Sequence, residues 1–253
     1  SFALKNLNKP VVLTYSQRSS DRASSDARLN LACAARAAIS DAAEVMLVGH
    51  ASINDDFCYA LRGTKVRKMH TSRRDTFRPI NTDPLAKVTP EKFESLSKYK
   101  LRNNNKTEIK AHFNGKVALV KFYPGQDPDI IEYYLKKGYK GLVVEMTGLG
   151  HVSTAESRTN WIPNIKKAIK SGMVICAAPQ TLYGRLHPLT YSVGRELEKT
   201  GIIYLKDILP ETALVKLSWV LGDSKMAKKP KEYLLKNYSG EFSDYMKIEN
   251  FLN

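Results

Sequence analysis

The chain has 253 residues, of which 43% are hydrophobic and 26% are charged, and these fractions are typical of globular proteins. They exclude a disordered or fibrous chain, and the length suffices for one large α/β domain or two smaller ones. The net charge of +15, from 40 lysines and arginines against 25 aspartates and glutamates, makes a polyanion such as RNA a candidate partner.

Apolar runs alternate with helical segments along the chain, which predicts an α/β protein with a parallel sheet and helices on both faces. In the first half, strands are predicted at 11–14, 44–48 and 57–61, with a polar loop at 15–25, helices at 25–39 and from 89, and a basic segment at 62–78. In the second half, strands are predicted at 117–122, 141–145, 173–176 and 201–203, with helices at 127–137, 161–170, 192–199 and 210–221 and a basic helical tail.

The first residues, S-F-A-L-K-N, read as the end of an amphipathic helix without a preceding initiator methionine, cap or signal peptide. We therefore expect the C-terminal piece of a longer protein or of a protein made in two pieces. No run of consecutive apolar residues approaches the length of about 18 residues that a membrane-spanning helix needs. Three cysteines, Cys33, Cys58 and Cys176, are too sparse for a disulfide framework, and we expect a cytoplasmic protein without a membrane partner.

The densest chemical cluster is G-T-K-V-R-K-M-H-T-S-R-R-D at 63–75, which holds two lysines, three arginines, a histidine and an aspartate. One interpretation is a solvated basic strand or a patch that contacts phosphates. The other is that one lysine points inward and helps to activate a hydroxyl nucleophile. Strand alternation places Lys68 on the same face as the apolar Val66, which favours an inward Lys68.

Other signatures of catalysis and cofactor binding are missing from the sequence. The five histidines show no metal-ligand spacing, and the glycine loop T-G-L-G-H at 147–151 lacks the full dinucleotide-binding pattern. There is no P-loop and no G-x-S-x-G nucleophile elbow. We therefore expect neither a metal nor a cofactor, and the residues alone do not complete a catalytic constellation.

The segment G-T-K-V-R-K-M-H-T-S-R-R-D-T-F at 63–77 resembles the asparaginase/glutaminase family of amidohydrolases, and most closely the D subunits of archaeal tRNA-dependent amidotransferases. Support is spread over nearly the whole chain, in Q-R-S-S-D-R at 17–22, S-S-D-A-R-L-N-L at 24–31, I-N-T-D-P-L-A-K-V at 80–88, V-V-E-M-T-G-L-G-H at 143–151, L-Y-G-R at 182–185, Y-S-V-G-R-E-L at 191–197 and D-I-L-P-E-T-A-L-V-K-L-S-W-V-L-G at 207–222.

This resemblance implies the asparaginase-like fold, with a parallel-sheet N-terminal domain followed by a smaller α/β domain. Residues 1–97 would be the later part of the first domain, 98–114 a linker and 115–253 the second domain. The family hydrolyses the side-chain amide of asparagine or glutamine and releases ammonia. It uses a threonine nucleophile in a T-G-G-T-I-type loop and a Thr-Asp pair in an H-G-T-D-T-type loop, which a lysine contacts.

By this resemblance Lys68 is the catalytic lysine. Both threonine motifs would precede Ser1, so the nucleophile is expected on a complementary N-terminal chain or segment. In the family loop T-G-A-Q-R a backbone carbonyl meets the substrate amide, and that carbonyl belongs here to Ser16. Tyr15 replaces the loop glycine, so we expect a narrower pocket or a changed substrate. His151 falls where related asparaginases place a polar side chain that reaches a neighbouring subunit's site, which implies a homo-oligomer; alternatively it is a loop histidine at a subunit interface.

Three functions remain open from the sequence. The first is part of an amidotransferase whose glutaminase component supplies ammonia to a second subunit acting on tRNA. The second is a split, free-standing L-asparaginase, and the third is a non-catalytic RNA-binding remnant of the fold. The lysines of the tail fit a contact with tRNA or, equally, a solvated helix face: Lys225, Lys228, Lys229, Lys231 and Lys236.

Overall fold

The computed structural model describes residues 1–154 and 159–251. The chain divides into two compact units. The first comprises Ser1–Lys110 and the C-terminal residues from Tyr245, and the second comprises Ala111–Asp244. No helix in the described part of the chain is both long and apolar enough to cross a membrane.

The first unit is built on a mixed sheet with the strand order β2-β3-β4-β7-β8. Its strands are β1 (Leu4–Lys5), β2 (Val11–Leu13), β3 (Val45–His50), β4 (Cys58–Arg62), β5 (Val66–Lys68), β6 (Phe77–Pro79), β7 (Ala86–Val88), β8 (Phe93–Ser95) and β9 (Glu108–Ile109), and its helix is α1 (Ala27–Ala38). Strands β5 and β6 form a separate antiparallel hairpin, and β1 pairs with β9. Strands β2 and β3 are parallel, whereas the other pairs of the main sheet are antiparallel.

Helix α1 packs on the main sheet through small side chains. Cys33, Ala34 and Ala37 are buried and lie in one cluster with Met46 and Val48 of β3. Alanine costs little side-chain entropy in a helix, so the A-C-A-A-R-A-A sequence favours the helix while it lets the backbone approach the sheet. This packing fixes the N-terminal end of α1 beside the carboxyl end of β2, where the polar loop begins.

The second unit holds an entirely parallel sheet with the order β10-β11-β12-β13. Its elements are β10 (Val117–Lys121), α2 (Asp129–Lys136), β11 (Gly141–Met146), α3 (Ile162–Lys170), β12 (Val174–Pro179), α4 (Ser192–Glu198), β13 (Ile203–Tyr204), α5 (Pro210–Gly222) and α6 (Pro230–Leu235). The central strands β11 and β12 are almost wholly buried, as expected for strands covered on both faces. The predicted α/β architecture with a parallel sheet is confirmed.

A buried ion pair anchors helix α5 to the segment that follows α6. The Lys216 ammonium lies 2.7 Å from the Glu241 carboxylate, and both side chains are 0% exposed. Lys216 also donates a hydrogen bond to the backbone carbonyl of Lys236 at 2.6 Å and lies 4.3 Å from the centre of the Phe242 ring. Burial lowers the pKa of Lys216, an effect that the charge of Glu241 opposes.

Three predicted elements are wrong. The helix end expected at the first residues is absent, because Leu4–Lys5 forms β1, which pairs with β9. The helix expected from residue 89 is absent, because Thr89 to Lys92 forms a turn, closed by the hydrogen bond from Thr89 N–H to the Lys92 carbonyl, which joins β7 to β8. Proline suits such a turn because its φ is already fixed, and Pro90 occupies it. The basic tail is not one helix either, because a 3₁₀ turn at Met226–Lys228 is separated from α6 by Lys229, whose φ of −137° is non-helical.

Of residues 98–114, predicted as a linker, those up to Lys110 belong to the first unit, contain β9 and make several hydrogen bonds within that unit. The Tyr99 hydroxyl donates to the Asp41 carboxylate at 2.9 Å, and the Arg102 guanidinium donates to the Ser40 carbonyl at 2.5 Å. At the other end of this stretch, the Asn114 carbonyl accepts a hydrogen bond from Ser218 of the second unit at 2.8 Å.

Candidate functional site

Asp26, at the start of α1, holds the loop that follows β2. Its buried carboxylate accepts the backbone N–H groups of Gln17 and Arg18 at 3.0 Å and the hydroxyl of Ser16 at 3.2 Å. Burial acts to raise the pKa of Asp26, but the hydrogen bonds from Gln17 and Arg18 outweigh it, and the pKa lies below its ordinary value of 3.8. The carboxylate therefore remains ionised at neutral pH and fixes the loop backbone.

Asn30, one helical turn after Asp26, links the same loop to β3. Its side-chain N–H₂ donates to the backbone carbonyl of Tyr15 at 2.9 Å and to Asp26 at 3.1 Å. Its Oδ1 accepts the backbone N–H of His50 at 2.9 Å and lies 2.6 Å from Nδ1 of the same histidine. Because an amide oxygen can only accept, this arrangement requires the hydrogen on Nδ1 of His50.

Asp55 continues the network from His50 to the segment after β5. Nε2 of His50 lies 3.0 Å from the Asp55 carboxylate, which also accepts two hydrogen bonds from the Arg74 guanidinium at 2.8 and 2.9 Å. The hydrogen bonds from His50 and then Arg74 hold the pKa of Asp55 below its ordinary value. The Asp55 carboxylate therefore connects His50, at the end of β3, with Arg74.

Tyr15 makes the other connection to this segment. Its hydroxyl donates to the backbone carbonyl of Arg74 at 3.0 Å, and its ring centre lies 4.6 Å from that of Phe77. Burial raises the pKa of Tyr15, so the phenol keeps its proton and acts as a donor. The ring occupies space over Gly49, where an added Cβ would lie less than 3.0 Å from three atoms of the tyrosine.

Lys68 is the last residue of β5 and lies directly opposite Phe77 in the hairpin. The prediction that Lys68 points inward is wrong: its side chain is exposed, and in this segment it is Lys65 that is buried, at 1% exposure. Within the described residues the Lys68 ammonium has no hydrogen bond or ion pair. Directly opposed residues of an antiparallel pair share a face, so Lys68 and the Phe77 ring lie on one side of the hairpin.

Two arginines of the 63–75 segment, Arg73 and Arg74, and the nearby Arg78 form ion pairs within the first unit. Arg73 pairs with the buried Asp75 at 2.8 Å, Arg78 pairs with the same carboxylate at 2.5 Å, and Arg74 pairs with Asp55. The Arg73 hydrogen bond keeps the pKa of Asp75 below its ordinary value despite burial. These contacts favour a fixed scaffold for Lys68 over a phosphate-binding patch, because much of the positive charge is already compensated.

The Ser16 carbonyl, expected to meet the substrate, lies on an exposed loop. It accepts no hydrogen bond from residues 1–154 or 159–251, so it is open to a donor from outside. The loop and the Lys68 hairpin belong to the same unit, and Tyr15 contacts both. The structure therefore brings two of the three predicted site regions together.

His151, the third predicted site residue, lies in the second unit. The Thr147 hydroxyl donates to the His151 backbone carbonyl at 3.0 Å, and the imidazole packs edge-on against Tyr191 with ring centres 5.5 Å apart. Nε2 of His151 is buried and has no partner among the described residues. No group of three or more histidine, cysteine, aspartate or glutamate side chains in the described chain is arranged to hold a metal.

The hydrogen-bond network of Asn30, His50 and Asp55 was not predicted from the sequence. Asp26 and Asn30 are four residues apart, and that helical spacing places both on one face, which could have indicated their joint contact with the loop. The partners of His50 carry no such local signal.

Comparison with known proteins identifies the fold and the family. The Asparaginase, N-terminal model matches residues 1–100, and the Glutaminase/Asparaginase C-terminal domain model matches residues 116–234. The chain belongs to the glutaminase/asparaginase family. The predicted family is thereby confirmed.

Curated members of the family extend over the whole chain. This chain is 51% identical over 254 aligned positions to the D subunit of the glutamyl-tRNA(Gln) amidotransferase of Thermococcus kodakarensis. It is 50% identical to the corresponding protein of Pyrococcus furiosus. Each alignment covers 100% of this chain and 57% of the relative. The chain thus spans little more than half the length of the curated relatives it matches.

Solved structures of family enzymes share the fold. The thermostable L-asparaginase from Thermococcus kodakarensis superposes with a TM-score of 0.86 at 24% identity, over 97% of this chain and 71% of that one. L-asparaginase I from Vibrio cholerae superposes with a TM-score of 0.83 at 24% identity, over 96% and 71%. The asparaginase-like fold predicted from the sequence is confirmed.

Asp26→Asn tests the hydrogen-bonding role of this carboxylate. We expect the free energy of unfolding at pH 7 to fall by about 2–3 kcal/mol, because the loop amides lose a charged acceptor. A carboxyl whose pKa is lower in the folded than in the unfolded protein stabilises the fold fully at a pH above its unfolded pKa, which is about 4. This contribution to the free energy of unfolding is lost as the pH falls through the folded pKa. The difference in urea midpoint between the two proteins should therefore shrink as the pH is lowered below about 4. Asp21→Asn, at an exposed position, is the control, and equal midpoints for both variants would contradict the role.

Proposed function

We propose that this chain forms part of an amidohydrolase that releases ammonia from a side-chain amide, within the D subunit of a glutamyl-tRNA(Gln) amidotransferase. The observation that carries the proposal is the 51% identity to such a protein along the entire chain. The contact of Tyr15, in the loop expected to bind the amide, with Phe77 opposite Lys68 supports it.

We assign Lys68 as the catalytic lysine of this reaction. An ammonium beside a carboxylate and a hydroxyl can hold the carboxylate ionised and assist proton transfer. The exposed Lys68 has no partner within the described residues, which leaves its ammonium available to such a pair. The T-G-G-T-I and H-G-T-D-T motifs do not occur in the 253 residues, so we propose that the nucleophilic threonine comes from a complementary N-terminal chain or segment.

The proposed reaction has two halves. The threonine hydroxyl attacks the amide carbon, its proton is passed to the leaving nitrogen, and ammonia departs from an acyl-enzyme; water then hydrolyses the ester and frees the acid. The Ser16 carbonyl would accept an N–H of the substrate amide and so orient the leaving group. We place His151 at the edge of a neighbouring subunit's site in a homo-oligomer of the completed protein.

The partners follow from the same proposal. Free ammonia would pass to a second amidotransferase subunit that acts on tRNA in the cytoplasm, and the substrate would be glutamine or asparagine. In terms of the domains of the family, we propose that residues 1–97 are the later part of the N-terminal domain, 98–114 the linker and 115–253 the C-terminal domain.

The test is ammonia release by the completed protein. We expect hydrolysis of glutamine, asparagine or both when the polypeptide with the threonine motifs is present. We also expect ammonia release to be stimulated by a second subunit that has bound Glu-tRNA(Gln). Hydrolysis of asparagine without stimulation would favour the split L-asparaginase. Failure to hydrolyse either amide in any combination would remove the enzyme and leave the RNA-binding alternative.

A further inference from the structure

A closed circuit of hydrogen bonds runs through Tyr15. The Tyr15 hydroxyl donates to the Arg74 carbonyl, the Arg74 side chain binds Asp55, and Asp55 faces His50. His50 contacts Asn30, whose amide returns to the Tyr15 carbonyl. Tyr15 thus connects the substrate loop, residues 14–18, to the 69–76 loop in two ways. Its hydroxyl bonds directly to the Arg74 carbonyl. Its backbone carbonyl is linked to the Arg74 side chain through Asn30, His50 and Asp55.

The ring of Tyr15 adds a packing contact to this circuit. It lies half-buried against Phe77 with an interplanar angle of 51°, and Phe77 is the residue paired with Lys68 across the hairpin. The contact between Tyr15 and Phe77 therefore joins the substrate loop to β6, the strand that pairs with the Lys68 strand β5. Because the Lys68 ammonium has no hydrogen bond or ion pair within the described residues, its position depends on the backbone of the hairpin that this contact borders.

Gly49 makes the arrangement possible. It lies in β3 beneath the tyrosine ring, and any side chain there would overlap ring atoms and the hydroxyl. The Tyr15 ring and Gly49 thus form a complementary pair, with the space left by the glycine filled by the aromatic side chain.

We propose that Tyr15 is a positioning residue that holds the Lys68 hairpin in register with the substrate loop. This proposal rests on the proposed amide hydrolysis. Tyr15 acts through Phe77 and the Arg74 backbone, so its loss displaces Lys68 relative to the bound amide. Errors of about 1 Å in catalytic geometry cost about 100-fold in rate, so the effect falls on kcat more than on KM.

The first test compares Tyr15→Phe and Tyr15→Ala in the completed protein. Tyr15→Phe keeps the ring and loses one neutral hydrogen bond, so we expect kcat/KM to fall about fivefold. Tyr15→Ala loses both connections, and we expect kcat to fall about 100-fold with the melting temperature monitored in parallel. Tyr123→Phe, at a tyrosine that is 58% exposed in the second unit, is the matched control and should behave as the parent protein.

The second test uses Gly49 as an independent perturbation. Gly49→Ala alone should reduce kcat because the new methyl displaces the Tyr15 ring. The double variant Tyr15→Ala/Gly49→Ala should be no less active than Tyr15→Ala, because the ring that the methyl displaces is already absent. Losses that multiply in the double variant would overturn the proposal, as would single variants within about twofold of an active parent.

Hydrogen exchange separates this proposal from the proposed function. Tyr15→Ala should accelerate amide exchange in residues 14–18 and 69–76 together, whether or not any amide is hydrolysed. If the parent protein is inactive on both amides, the proposed function fails while the exchange still tests the coupling. Unchanged exchange in both loops would overturn the positioning role.

Discussion

Replacing Lys68 with Met should abolish ammonia release by the completed protein and leave its fold intact. The side chain is exposed and has no partner among the described residues, so its loss should change stability by less than about 0.5 kcal/mol. Loss of a group that assists proton transfer costs about 10²–10⁴ in rate, and we expect a fall in kcat within this range or beyond. Steady-state ammonia release and a thermal melt measure the two quantities.

Lys121→Met is the matched control for this experiment. Lys121 is likewise an exposed lysine at the last position of a strand, β10, but lies in the second unit. It should leave both activity and stability unchanged. Near-normal turnover by the Lys68 variant would remove this lysine from the reaction, whereas loss of folding would show that it is structural.

Replacing Lys216 with Met should cause a large loss of stability. The Glu241 carboxylate, 0% exposed, would remain buried, and among the described residues it would keep the backbone N–H groups of Tyr238 and Ser239 as donors. Removing one partner of a buried ion pair costs about 3–5 kcal/mol. Urea unfolding followed by a signal from the second unit, such as the fluorescence of Trp161 and Trp219, should report this loss.

The double variant Lys216→Met/Glu241→Leu separates a buried charge from a lost contact. Apolar replacement of both partners is often close to neutral, so most of the stability should return. Lys167→Met is the surface control, since Lys167 lies 2.7 Å from Glu132 but is 59% exposed, and such pairs contribute about 0–1 kcal/mol. Equal losses for Lys216 and Lys167 would show that the interior pair carries no special weight.

Hydrophobic periodicity predicts most of the regular elements. Strands β10 to β12 and helices α1 to α5 lie within a few residues of their predicted bounds, because their apolar positions repeat with a helical or strand period and glycine or proline marks their ends. The mixed pairing of the first sheet was not predictable in this way. Strand direction depends on the connections between strands, and β4, β7 and β8 are joined without intervening helices.

The orientation of Lys68 shows where a local pattern is insufficient. The predicted alternation requires a long strand from residue 63, but β5 spans only Val66–Lys68, and Lys65 lies in the turn before it with its N–H bonded to the Arg62 carbonyl. The contacts of His50 could not be predicted either, because Asn30 precedes it by 20 residues and only the packing of α1 on β3 brings the two together.

The Tyr15–Gly49 contact has a consequence for how sequences of this family can diverge. An aromatic residue at position 15 requires glycine at position 49, since any side chain there would overlap the ring. The reverse does not hold, because a small residue at 15 leaves position 49 free. Divergence should therefore show a one-directional covariation, in which glycine at 49 is retained wherever 15 is aromatic and is relaxed only after the ring has been lost.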